Sequence, residues 1–132
     1  MPFPLHRQLD EMDCGPACIR MVAEHFGRKY TLKQLRQKSQ ADREGVSARG
    51  IAVAAESLGL RALPVKPPFH GLDDSAAGFL EAPLPCIVHW KQRHFVVVFK
   101  KSNKHIWIAD PAHGKIKMTH ASFRQHYESD GG

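Results

Sequence analysis

The chain changes texture at its middle, and that change constrains the fold more than any other feature of the sequence. Up to Gly59 the apolar residues recur three and four apart, whereas from Cys86 onward they come in short β-branched and aromatic runs split by polar breaks. A helical half followed by antiparallel strands predicts an α+β domain, with an N-terminal helical lobe and a C-terminal antiparallel β-sheet lobe. The 132 residues, 42% apolar and 24% charged, suit one such domain with one core. Residues 1–128 are taken as the domain and residues 129–132, Ser-Asp-Gly-Gly, as a linker or chain end.

Local signals divide the helical half. Asp13 suits an N-cap and Pro16 a first turn, and Cys18, Met21, Val22 and Phe26 fall at helical spacing before Gly27, so a buried helix is expected from about Cys14 to His25. A second helix starts at Thr31, where Thr-x-x-Gln resembles a capping box, and buries Leu32 and Leu35. Ser47 caps a third, with Ile51, Ala54, Ala55 and Leu58 on one face and Gly59 as its left-handed stop. Prolines 64, 67, 68, 83 and 85 then punctuate a short extended piece near Leu60 to Val65 and an irregular crossing over residues 67 to 84. Strands are expected at Cys86–Trp90, His94–Phe99, His105–Ala109 and Lys115–Met118, joined as hairpins. Thr119 caps a last helix carrying Phe123 and Tyr127.

Several function classes are disfavoured. Three cysteines, an odd number, without a signal peptide at the start point to a reducing compartment rather than a disulfide framework. The longest apolar run, Phe95 to Phe99, is far short of the ~20 residues that span a bilayer. The net charge of +6 favours anionic neighbours, but the basic residues, among them Lys29, Lys33, Arg36, Arg61 and Lys104, are scattered without interleaved aromatics, so no nucleic-acid partner is expected.

Cys14 sits where a thiol is most easily turned into a thiolate, at a helix N-terminus. A single cysteine is more often a small buried residue than a nucleophile, so its partners decide. Gln8, six residues earlier, offers an amide to an oxyanion alongside the Cys14 backbone N–H. His94 stands at the lip of an apolar strand, placed to act as general base; His89 is its chief competitor. Asp110 ends the next strand and opens the turn Asp-Pro-Ala-His-Gly114, beside His94 if the two strands form a hairpin, and would orient the imidazole.

Together, Gln8, Asp13-Cys14-Gly15-Pro16-Ala17-Cys18, His89-Trp90-x-x-x-His94-Phe-Val-Val-Val98 and Asp110-Pro-Ala-x-Gly114 resemble the bacteriocin-processing, double-glycine leader peptidases found at the N-terminus of peptide-exporting ABC transporters. The likeness runs from about Gln8 to Tyr127, nearly the whole chain. It implies a papain-like fold and thiol-dependent cleavage after a Gly-Gly or Gly-Ala pair ending a leader peptide. The family's nucleophile maps to Cys14, its histidine to His94, its aspartate to Asp110 and its oxyanion glutamine to Gln8. It implies a leader peptide as substrate and no cofactor for the peptidase. It further implies membrane-spanning and nucleotide-binding domains as partners, and a place on the cytoplasmic side of a bacterial membrane.

Three other readings compete. Related domains of toxin exporters bind their substrate without cutting it, but lack the cysteine present here as Cys14. Acyl transfer by the same residue set, as in transglutaminase-like enzymes, is disfavoured by the leader-peptidase motifs. A zinc site using Cys14 and Cys18 lacks a close second pair of ligands, so no metal is expected and Cys18 and Cys86 are assigned to the core.

Overall fold

A computed structural model describes residues 3–7, 14–38, 48–60, 84–90 and 94–128. Four helices and four strands follow one another as α1 (Cys14–His25), α2 (Leu32–Lys38), α3 (Ala48–Ser57), β1 (Cys86–Trp90), β2 (His94–Lys101), β3 (His105–Asp110), β4 (Gly114–Thr119) and α4 (His120–Glu128). The strands form one antiparallel meander in the order β1-β2-β3-β4. Helices first and antiparallel sheet second is thus the observed α+β order.

The helix punctuation acts through hydrogen bonds. Thr31 and Gln34 form the reciprocal capping box, with Thr31 N donating to Gln34 Oε1 at 2.8 Å and Gln34 N to Thr31 Oγ1 at 3.1 Å. Gly27 and Gly59 take positive φ of 88° and 84°, which lets the chain reverse as Arg28 N reaches Ala23 O and Leu60 N reaches Ala55 O. Thr119 Oγ1 accepts from Ser122 N at the start of α4. The expected caps Asp13 and Ser47, the 61–83 part of the crossing, the Tyr127 side chain and the 129–132 tail lie outside the described residues.

Two positions differ from the sequence reading. Phe26 is 57% exposed, because α1 stops at His25 and the reversal at Gly27 carries the ring outward, where it meets His25 edge-on. Ala55 is only half buried, leaving Ile51 and Ala54 as the inner stripe of α3, continued by Leu58 just past its end. β2 and β4 also run beyond their expected ends, because pairing with β3 continues through Lys101 and Thr119.

The sheet is covered on both faces. On one, α1 and α3 pack Cys18, Met21 and Ala54 into the same cluster as Phe95, Val97 and Ala109. On the other, Phe123 of α4 packs among Val96, Val98, Ile106 and Ile108. The alternation of β2 therefore serves two cores, and its four central residues are all buried. The segment 3–7 closes the first face: Phe3 stacks on Phe99 at 4.9 Å, and His6 Nε2 meets Glu24 Oε2 at 2.9 Å.

Candidate active site

Antiparallel pairing places the start of β2 and the end of β3 at the same edge of the sheet, bringing His94 to Asp110. α1, packed on the face that carries Phe95 and Val97, brings its first residue, Cys14, to that edge. The first turn of a helix presents backbone N–H groups without intrahelical acceptors, so the thiol sits at the positive end of α1.

His94 Nε2 donates to Asp110 Oδ1 at 2.7 Å, and a further side-chain hydrogen bond joins His94 to Cys14. With Nε2 engaged by Asp110, Nδ1 is the ring nitrogen left for the thiol. Cys14 is 4% exposed and the His94 side chain 23%. The bond to Asp110, then the bond to Cys14, raise the imidazole from its ordinary value near 6.5 to about 9, against the opposing effect of burial. His94 is therefore an imidazolium at neutral pH.

Asp110 is the one buried charged residue among those described. Burial alone would push its carboxyl up; hydrogen bonds from His94, the Ala112 N–H and His113 overcome it and hold Asp110 at about 2. Ala112 N reaches Oδ1 at 2.8 Å, and His113 Nδ1 lies 3.1 Å from Oδ2. The turn is fastened from outside as well. Arg7 Nη1 donates to Ala112 O at 3.2 Å, and Gly114 takes φ +98°, a conformation side chains rarely adopt, with Arg7 Nη2 3.1 Å from where a Cβ would stand.

Cys14, His94 and Asp110 are thus brought together as expected, while Gln8 lies outside the described residues. His89, the alternative base, is exposed on β1 and stacks on Phe95 at 4.7 Å. Cys18 is fully buried one turn behind Cys14, and burial, with Cys14 and Asp110 adding to it, raises its thiol well above the ordinary range. Cys86 is pushed up to about 12 by burial, with Lys101 opposing. Neither is suited to act as a thiolate. Sequence reasoning missed His113 and Arg7. His113 stands three residues after Asp110 in an Asp-Pro turn, a spacing that folds it back over the carboxylate.

Among the described residues, His94, Asp110 and His113 form the one group of metal-ligating side chains whose donor atoms lie within 4.8 Å of one another. The two hydrogen bonds to the carboxylate account for that closeness. Cys14 and Cys18 belong to no such group.

A recessed thiol bonded to an imidazolium, itself bonded to a buried carboxylate, is an arrangement for thiol-dependent acyl chemistry. The model of the peptidase C39 family matches residues 2–130. The chain belongs to that family. It is a papain-like cysteine peptidase domain. It is 42% identical over 124 residues to the lactococcin-G-processing and transport ATP-binding protein of Lactococcus lactis, covering 91% of this chain and 17% of that protein. The probable microcin-H47 secretion/processing ATP-binding protein of Escherichia coli is 35% identical over 114 residues, 85% of this chain and 15% of that one. The chain therefore spans about a sixth of the length of these relatives.

Among solved structures, the peptidase domain of Streptococcus ComA, a bifunctional ABC transporter of a quorum-sensing pathway, matches with a TM-score of 0.83 and 30% identity. That match covers 96% of this chain and 93% of the other. A double glycine motif protease from an AMS/PCAT transporter, in complex with its leader peptide, matches with a TM-score of 0.81 and 30% identity over 95% and 85% of the two chains. Among the described residues no helix is long and apolar enough to cross a membrane.

Proposed function

We propose that this C39 domain removes leader peptides by cutting after a double-glycine pair, with Cys14 as nucleophile, His94 as acid and base, Asp110 as its orienting carboxylate and Gln8 as an oxyanion donor. The observation that carries this reading is the hydrogen-bonded chain from Cys14 through His94 to Asp110. The thiolate of Cys14 attacks the carbonyl of the second glycine, and the oxyanion is met by N–H groups at the start of α1 and the Gln8 amide. The His94 imidazolium then gives its proton to the leaving amine, releasing the mature peptide and leaving the leader as a thioester. His94, now neutral, takes a proton from water as that water attacks, which frees the leader and restores the ion pair. Asp110, ionised throughout, holds the ring. The sequence consumes only water and needs no cofactor.

The 4% exposure of Cys14 supports the choice of substrate, since a recessed thiol is most easily reached by backbone that carries no side chains. The named relatives and the leader-bound neighbour support a peptide precursor as substrate and a transporter as setting; on this reading the domain works on the cytoplasmic side of a bacterial membrane.

The test is incubation of the chain with synthetic precursors whose leaders end in Gly-Gly, with cut sites read by mass spectrometry. Cleavage after the pair is expected, with none by Cys14→Ala, which should still bind the leader. His94→Ala should be nearly as inactive, and His89→Ala should cut. Cleavage by Cys14→Ala would refute the nucleophile, and binding without cleavage by the parent chain would leave a leader-binding domain.

A further inference from the structure

The Asp110 carboxylate is held from two sides, and only one of them belongs to the reacting residues. Oδ1 accepts from His94 and from Ala112 N, while Oδ2 faces the His113 ring. A carboxylate bonded through one oxygen turns readily about its terminal torsion, which is broad and roughly two-fold. A partner on the second oxygen fixes the carboxylate plane, and with it the direction of the bond to His94. The turn is built to supply that partner. His113 N donates to Asp110 O at 3.2 Å, Gly114 turns back at positive φ to pair with Asp110, and Arg7 fastens the Ala112 carbonyl.

We infer that His113 is a positioning residue of the active site, acting through Asp110 to hold the His94 ring in line with Cys14. This inference rests on the roles proposed above for His94 and Asp110. The His113 side chain is 72% exposed, and its partner among the described residues is the Asp110 carboxylate, through which it acts. Its contribution is bounded by that exposure. One partly solvated hydrogen bond is worth about 0.5–1.5 kcal/mol, or roughly a two- to tenfold change in rate. The groups that face His94 are Cys14 and Asp110, with Cys18 and His113 one step behind them. If the carboxylate turns, the bond that raises His94 most is the one that weakens.

The test uses His113→Ala and His113→Asn with two readouts, kcat and KM for a Gly-Gly leader substrate, and the titration midpoint of the His94 ring by NMR, which needs no substrate. For His113→Ala, kcat should fall about two- to tenfold with KM within about twofold, and the His94 midpoint should move down by about half a unit or more. His113→Asn should restore most of both, because its amide nitrogen stands where Nδ1 stands and still donates. An unchanged kcat and midpoint in His113→Ala, or a loss that Asn does not restore, overturns the inference. Asp110→Ala is run alongside. If it is fully active, the role of Asp110 itself fails and this inference with it; if it is crippled while His113→Ala is not, only the inference about His113 fails.

Discussion

Asp110→Asn isolates the charge of the orienting group from its shape. In the parent chain Oδ1 receives two N–H groups, from His94 Nε2 at 2.7 Å and Ala112 N at 2.8 Å. Both are donors, so the Asn oxygen must face them and its amide nitrogen must face His113, whose ring can present a lone pair at Nδ1. An imidazolium carries protons on both nitrogens, so this substitution selects no wrong tautomer. What is lost is the negative charge. The bond to Asp110 is the first cause of the rise in His94 to about 9, the bond to Cys14 the second. Without the carboxylate, His94 should fall by roughly one to two units, to about 7.5.

The sign follows from which form is needed. In the proposed mechanism the imidazolium is the acid that protonates the leaving amine, so activity should persist below the His94 pKa and be lost as pH rises through it. A limb at about 9 leaves about three quarters of the competent form at pH 8.5, whereas one at about 7.5 leaves about a tenth. Asp110→Asn should therefore cost about eightfold more at pH 8.5 than at pH 6.5. Initial rates of leader cleavage between about pH 5.5 and 9.5, as kcat/KM, are the assay. A loss of equal size at pH 6.5 and 8.5 would refute the charge argument.

Two further substitutions test the frame around the site. Gly114→Ala places a side chain at φ +98° and 3.1 Å from Arg7 Nη2; the guanidinium can swing aside but the backbone cannot, so a loss of about 1–2 kcal/mol is expected by denaturant unfolding. Phe123→Ala removes a fully buried ring from the core between α4 and the sheet, and should cost about 3–5 kcal/mol in the same measurement.

The elements with their own local chemistry were legible in the sequence. Thr31 and Gln34 announce a capping box because both halves of it lie within one turn, and Gly27 and Gly59 announce reversals that few other residues make cheaply. Cys14, His94 and Asp110 were legible through their places at element ends, where hairpin pairing had only to bring two ends together. Phe26 misled because it keeps the apolar spacing one residue past the expected end at His25, where the reversal at Gly27 turns its ring outward. His113 and Arg7 stayed hidden for another reason. Their partners are one carboxylate oxygen and one backbone carbonyl, and such contacts depend on the exact path of a turn and on a segment more than a hundred residues away in the chain.

The segment 3–7 works like a drawstring. It is knotted at Phe99 by the Phe3 ring, at α1 by the His6–Glu24 pair, and at the Asp110–Gly114 turn by Arg7. All three contacts sit within five residues, so a tag, label or fusion attached just ahead of Phe3 is expected to disturb the turn that carries the Asp110 carboxylate. For anyone engineering this peptidase, that end of the chain is part of the instrument, and the exposed Ser102–Lys104 bend between β2 and β3 is the quieter place to attach a handle.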